Sequence, residues 1–512
     1  MTPMRTLPRL ALAAATLAAP AAAQQQPKLP PVRKLETILA RSDEPMTSIS
    51  AAVPLPDGKV LVNDVLQRRV IMFDSTLKQV TVVADSTSAT ANAYGARGGG
   101  LIGYGGDSAL FIDPASLSMM VINGRGELTT VRAVPRAQEI NLFSGANGRP
   151  GFDPQGRLVY RGQNRPGFGG QGGGRGGQGG GRDGARAGGE AQPRQRGQGG
   201  QGGQGGGFGG GPGGFTFQMP TLPDSAPIFR VDLATRSLDT LGSLKINRPD
   251  VKVTQGADGR PNVQTTLNPM PMIDEWALLS DGTIALVRGH DFHVDWRAPD
   301  GTVTAGPKLP FDWQRMSDDD KQFVLDSTRT AIEKQREEAQ RMMNAAGGPA
   351  AFIQGGGGER LMAGALGGGG PVIIAGGGPG GGPGGGGAPP QRQQGGNGGN
   401  GGGQGGGPGG PGGGFQVPAV NLIPATEMPD YRPPFAGAAA LGDLDGHLWV
   451  RTTAPTDNGG ALYYVISKDN EVIDRVQVPQ GRLIAGFGKG GIVYLGFRDT
   501  EGKGRLEIAR WK

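Results

Sequence analysis

Pro56-Asp57-Gly58-Lys59-Val60-Leu61-Val62 is a glycine-bearing tight turn that runs straight into a strand. Gly supplies the positive φ a hairpin turn needs, and the aliphatic residues behind it suit a buried strand. The same signature returns at Gly105-Gly106-Asp107-Ser108-Ala109-Leu110-Phe111, at Gln155-Gly156-Arg157-Leu158-Val159 and at Asp281-Gly282-Thr283-Ile284-Ala285-Leu286-Val287. It closes with Asp445-Gly446-His447-Leu448-Trp449-Val450 and Gly490-Gly491-Ile492-Val493-Tyr494-Leu495. Where nothing intervenes, the spacing is roughly 45–50 residues, the period of propeller blades.

Outward from the first turn, a complete blade can be read. Ser48 to Val53 is its inner strand A, Val60 to Asn63 strand B, Arg69 to Phe73 strand C, and Gln79 to Val83 strand D after the Asp74-Ser75 turn. Within it, Val62-Asn63-Asp64-Val65-Leu66-Gln67-Arg68-Arg69-Val70-Ile71-Met72-Phe73-Asp74 places an Asp after strand B and an Arg-Val pair at the opening of strand C. That pattern resembles the NHL repeat. The other blades keep the turn and the strand rhythm but lose the Arg-Val pair. The resemblance is to the broad group of NHL-like and TolB-like six-bladed β-propellers, over roughly residues 32–162, 226–310 and 430–512. It implies a fold and leaves function open, since many functions share this scaffold.

Blade two runs from about Gly99 to Val134. Blade three starts near Gly151, and its strand C, Ile228 to Asp232, comes only after an insertion. Blade four spans about Met272 to Leu309, and blade five about Phe435 to Val478. Blade six, with strands at Leu483–Phe487, Ile492–Phe497 and Arg505–Arg510, stops one strand short. Lys34 to Ala40 is the candidate for the missing outer strand, because closing the ring from both termini removes a free sheet edge. Leu35, Ile38 and Leu39 are then candidates for burial.

Two insertions interrupt the ring. Residues 163–215 are rich in Gly, Gln and Arg and nearly free of large apolar side chains, which predicts a disordered loop. Residues 311–346 predict an inserted helical segment with its helix at Ser317–Ala345. Ser317 would be its N-cap, with Asp318, Asp319 and Asp320 at the positive end of the dipole. Phe323, Val324, Ile332, Ala339 and Met343 would form an apolar stripe, and Glu337 and Arg341 an i,i+4 pair. A second disordered tract, Gly/Pro-rich, is expected over 347–414. Both insertions belong to B–C or D–A connections, which emerge at one end of a propeller.

Composition narrows the function classes. Arg5 and Arg9, the apolar run Leu10–Ala19 and Ala21-Ala22-Ala23 before Gln24 follow the pattern of a secretory signal peptide over residues 1–23. The run is short of the roughly 20 residues that span a bilayer. The mature chain, 24–512, is expected to be periplasmic or secreted, with no membrane span. There are 0 cysteines, so disulfides, thiolate metal sites, a cysteine nucleophile and a lipidated cysteine are all excluded. The net charge of +6 is mild and partly carried by the Gly-rich tracts, unlike the dense basic stripe of a nucleic-acid binder. Arg-Gly-Gly segments there lack interleaved aromatics and read as solvated filler, so no nucleic-acid partner is expected.

The most suggestive constellation is arginine at the end of strand B. Arg161, Arg288, Arg451 and Arg498 follow the turn glycines Gly156, Gly282, Gly446 and Gly490 at short, similar offsets. Convergent guanidinium groups at the insertion-bearing end would favour a carboxylate, phosphate or sulfate ligand. The competing reading pairs each with Asp274, Glu275, Asp291 or Asp499 and ties blades together. Asp64 and Asp113 read as carboxylates that fix B–C turns. His290, His293 and His447 are too dispersed for a three-His metal centre. Asp443-Leu444-Asp445-Gly446 starts like a calcium loop but lacks the later ligands. No catalytic residue, metal or cofactor is assigned. The expectation is a monomeric binding or scaffold protein that engages an unidentified protein or an anionic ligand. The alternative is a metal-dependent hydrolase or lyase of the lactonase type built on Asp64, Asp113, Asp274 and Glu275.

Overall fold

The structure, a computed structural model, describes residues 29–163, 223–345 and 420–512, apart from 66, 87–93, 95–98, 146, 249, 256–260, 458 and 500. The expected signal peptide and both Gly-rich tracts lie outside the described residues, but for Gln163. Two short strands come first, β1 (Val32–Lys34) and β2 (Ile38–Arg41). Blade one is β3 (Ile49–Pro54), β4 (Val60–Asp64), β5 (Arg69–Phe73) and β6 (Val80–Asp85). Blade two is β7 (Gly100–Tyr104), β8 (Ser108–Asp113), β9 (Ser118–Ile122) and β10 (Leu128–Ala133). Blade three is β11 (Gly151–Phe152), β12 (Leu158–Arg161), β13 (Ser225–Val231) and β14 (Leu238–Lys245). A hairpin of β15 (Asp250–Gln255) and β16 (Pro261–Leu267) precedes blade four: β17 (Glu275–Leu278), β18 (Ile284–Arg288), β19 (His293–Arg297) and β20 (Val303–Ala305). Helix α1 (Asp318–Ala345) and β21 (Val420–Leu422) follow. Blade five is β22 (Phe435–Gly442), β23 (Leu448–Thr452), β24 (Ala461–Ile466) and β25 (Val472–Val478), and blade six is β26 (Arg482–Phe487), β27 (Ile492–Arg498) and β28 (Gly504–Arg510).

The middle strands read as unbroken apolar runs because both of their faces are covered. In β4, Val60 and Val62 turn to blade six while Leu61 turns to blade two. Every gap between neighbouring blades holds its own apolar cluster. Phe111 and Val70 meet between blades one and two, and Ile112 and Tyr160 between two and three. Trp276 and Ile228 meet between three and four, and Phe292 and Tyr464 between four and five. Trp449 and Phe487 meet between five and six, and Ile71 and Ile508 between six and one. The last pair closes the circle, so the fold is a six-bladed β-propeller. Inner strands approach closely: a Cβ on Gly486 would stand 2.0 Å from the Ala52 carbonyl oxygen.

The N-terminal segment closes the ring as expected, with one difference. Residues 34–40 do not act as a single strand. β1 lies parallel to β25 as a fifth strand of blade five, and β2 pairs antiparallel with β28 as the outer strand of blade six. Leu35, between them, is 2% exposed in the gap between those blades, whereas Leu39 is 50% exposed. Arg41 brings its guanidinium to the fully buried Glu507 at 2.6 Å, and Arg482 meets the same carboxylate at 2.6 Å.

At the end that carries the insertions, β21 pairs parallel with β16 to form a small three-stranded sheet, and α1 packs on it. Ser317 and Asp320 form a reciprocal capping box: the Ser317 hydroxyl accepts from Asp320 N at 3.2 Å, and the Asp320 carboxylate accepts from Ser317 N at 2.9 Å. The helix buries Lys321, Val324, Leu325 and Thr328. Phe323, expected in the apolar stripe, is 67% exposed, because the buried spacing of three, four and seven begins at Lys321. The Lys321 stem covers the apolar face while its ammonium meets Asp430 at 2.9 Å. Glu337 and Arg341 stand 3.5 Å apart, as their spacing implies.

Candidate functional site

The B–C and D–A connections emerge at one end of the ring, and the tight A–B hairpins at the other. Gly282 (φ 87°) and Gly446 (φ 89°) sit in the latter. Along the axis runs a cavity of about 250 Å³ walled by the backbones and small side chains of all six inner strands, among them Ala52, Ile102, Gly151, Ala277, Ala440 and Gly486. A 3₁₀ stretch, Ala137–Ser144, lies between blades two and three at the insertion-bearing end, and its Phe143, packed between those blades, also lines the cavity.

At that end stands an arginine absent from the sequence-derived set. Arg149 stands two residues before the inner strand of blade three, and its Nη2 donates to the Ile484 carbonyl of blade six, directly opposite, at 2.5 Å. The side chain thus crosses the channel. It is half-buried, because part of its surface faces the cavity. Removal from bulk water pushes its pKa down to about 10, still well above neutral pH. Among the described residues it has no carboxylate partner, only this carbonyl and the nearby Tyr463. Burial pushes the Tyr463 hydroxyl up, and the positive charges of Arg451 and Arg149 oppose that shift. Arg451 is the cross-strand partner of Tyr463. The charges of Arg149 and Arg451 thus both act on one tyrosine, which is buried in the gap between blades five and six.

The four arginines drawn from the repeat do not occupy one ring. Strand register explains why. Leu158, Ile284 and Leu448 are equivalent, each opposite the last residue of its inner strand. Arg161 and Arg451 lie three residues beyond, Arg288 four, so alternation turns Arg288 to the opposite face of its blade. There it meets Asp274 at 2.8 Å, Asp295 at 2.7 Å and the Ser243 carbonyl of blade three at 3.0 Å. Among the described residues Arg498 reaches only backbone carbonyls, Gly502 at 3.1 Å and Thr47 of the segment leading into blade one at 3.2 Å. Arg161 and Arg451 have no ion-pair partner within 4.0 Å among the described residues. Burial lowers the pKa of Arg161, and the charge of Glu275 partly restores it.

Glu275 opens the inner strand of blade four and is 1% exposed. Its Oε1 accepts from the Ala438 amide at 2.8 Å, where β22 bulges through a residue at φ 56°. Its Oε2 is buried without a hydrogen-bond partner. Burial drives its pKa up to about 7 against the pull of Arg161 and of the Ala438 and Trp276 amides.

The other acids are engaged in turns and pairs. Asp64 accepts from the Thr47 and Ser48 amides at 2.9 and 3.0 Å, and Asp113 from the Ala115 amide at 3.0 Å and the Ser116 hydroxyl at 2.6 Å. Asp64, Asp113, Asp274 and Glu275 are not gathered at one point, and among the described residues no group of three or more His, Cys, Asp or Glu is arranged to hold a metal ion. His293 stands between Asp291 (2.5 Å) and Asp295 (3.3 Å) at the B–C turn of blade four. His447 lies at the other end of the ring, against Asp443 at 2.9 Å. Asp443 also accepts from the Asp445 and His447 amides at 3.0 and 2.7 Å and from Trp449 Nε1 at 3.0 Å, which makes it the anchor of a hairpin.

No protein-family model and no curated protein matches the chain. Solved structures do. Regucalcin from Agrobacterium tumefaciens, titled a calcium-binding protein, is 10% identical over 94% of this chain and 98% of its own, with a TM-score of 0.34. Virginiamycin B lyase from Staphylococcus aureus, a catalytically inactive form with quinupristin, is 9% identical over 92% of this chain and 98% of its own, with a TM-score of 0.31. A luciferin-regenerating enzyme is 9% identical over 91% and 92%, with a TM-score of 0.30. These proteins are β-propellers, and the likeness is one of fold.

Proposed function

We propose that this protein is an exported, monomeric and non-enzymatic binding or scaffold protein that engages an anionic ligand or partner at the insertion-bearing end of its channel. One observation carries this reading. Arg149 holds a positive charge across the channel, half-buried and without a carboxylate partner among the described residues. An uncompensated charge in such a place is costly, and an anion supplies the missing compensation. Arg161 and Arg451, at the same end and likewise without ion pairs among the described residues, add to the field. Guanidinium groups match planar and tetrahedral oxyanions. Export rests on the arrangement of Arg5, Arg9, Leu10–Ala19 and Ala21-Ala22-Ala23. No helix among the described residues is long and apolar enough to cross a membrane.

Calorimetric titration of the full mature chain against a panel of carboxylates, inorganic anions and polyanions tests the binding. At least one class should bind, and Arg149→Met should weaken it tenfold or more. A chain that binds none of them, or an R149M variant that binds as well as wild type, refutes the reading. Amino-terminal sequencing of protein recovered outside the cytoplasm should begin at Gln24, and an intact Met1 would remove the case for export.

A further inference from the structure

Resting on the anion-binding reading, we infer that the channel itself takes a small monocarboxylate with a hydrocarbon body, its carboxylate on Arg149 and its body along the axis toward the A–B hairpins. Three features of the cavity point to this class.

The first is size. A volume of about 250 Å³ equals that of about eight waters at liquid density, so the ligand is small. The second is the chemistry of the wall. The lining is mixed: polar surface from the strand backbones, Ser50, Ser280, Arg149 and Asp443 nearly equals the apolar surface of the Ala, Leu, Ile, Val and Phe side chains, and it is that apolar share that a hydrocarbon body matches. The third is charge. Asp443, at the hairpin end of the cavity, is committed to His447, Trp449 and two backbone amides. Among the described residues Arg149 is the one cation lining the cavity, and a single guanidinium balances a single negative charge. A dianion in the same place would bring in a second negative charge with no second cation among the described lining residues to balance it. Arg149 commits one of its five N–H groups to Ile484, and its fork suits a carboxylate edge-on.

The test is calorimetric titration of the wild-type chain with isovalerate, benzoate and phenylacetate, with their neutral amides, with sulfate and inorganic phosphate, and with polyphosphate. The apolar monocarboxylates should bind at least tenfold more tightly than their amides and than either inorganic anion. Their affinity should change little between 50 and 500 mM salt, because a charge inside the channel is poorly screened (the Debye length is about 10 Å at 0.1 M). R149M should lose this binding, and the acid-against-amide comparison in the wild type stands even where that variant does not fold. Amides that bind as well as acids overturn the inference. So does tight, salt-sensitive binding of polyphosphate or sulfate without monocarboxylate binding, which leaves the anion-binding reading standing at the rim. Binding of no anion overturns both.

Discussion

Replacing Glu275 with Gln should remove a pH dependence built into the propeller. The wild-type carboxyl is sealed between blades four and five, with one oxygen on the Ala438 amide and the other without a partner. Burial lifts its pKa from 4.5 to about 7. The folded state therefore holds a proton that the unfolded chain gives up above about pH 4.5. Stability from this group is fully present below that pH and is lost as pH rises through 7. The shift of about 2.5 pH units at 1.36 kcal/mol each amounts to roughly 3 kcal/mol. Glutamine mimics the protonated acid, accepts from Ala438 and does not titrate. Guanidinium denaturation followed by tryptophan fluorescence, at pH 4.5, 5.5, 6.5 and 7.5, should show E275Q gaining on wild type steadily, by roughly 3 kcal/mol across the range. Arg161→Met should widen the effect, because the Arg161 charge is what opposes protonation most. A difference between wild type and E275Q that stays constant to within about 0.5 kcal/mol would refute the reasoning, as would wild type gaining on the variant as pH rises.

Two further expectations concern the ring and the arginines. Leu35→Ala should cost about 2–5 kcal/mol in denaturation, because it opens a cavity between blades five and six. Leu39→Ala, at a half-exposed position, should fall within about 0.5 kcal/mol of wild type. Arg288→Ala should lower stability by about 1–3 kcal/mol by stranding Asp274 and Asp295, with anion binding intact, while Arg451→Ala should weaken anion binding and leave the melting temperature nearly unchanged. Equal effects of the two substitutions on both measurements would dissolve that distinction.

The propeller was legible because its signals are local and repeated. A glycine turn with an apolar strand behind it needs no knowledge of distant residues, and the missing strand of blade six followed from counting. What counting could not reveal is that the N-terminal segment divides: β1 serves blade five and β2 blade six, with Leu35 driven into the gap between them. That split depends on where β25 offers a free edge, a property of the assembled ring. The small sheet of β15, β16 and β21 is equally nonlocal, since β21 lies more than 150 residues from the strand it extends.

The site was legible only in part, and strand parity is the physical reason. Offsets from the turn glycines grouped Arg161, Arg288, Arg451 and Arg498, but a single residue of difference reverses the direction of a side chain. That one residue separates Arg288, held by two carboxylates, from Arg161 and Arg451, which have no ion pair among the described residues. Arg149 escaped the pattern because it precedes an inner strand, whereas the repeat drew attention to the ends of strand B. A signal for it did exist in the sequence. Asn147-Gly148-Arg149-Pro150-Gly151 puts a cation, between glycine and proline, at the mouth of an inner strand. The position three residues before the last residue of an inner strand recurs in every blade: Arg149 holds it in blade three, where it lines the channel, and Glu275 in blade four, where it is sealed between blades. Charged residues at those six positions are therefore the ones to weigh first. Arg149 and Glu275 occupy two of them, in neighbouring blades: one carries a charge without a carboxylate to balance it, the other a carboxyl oxygen without a donor.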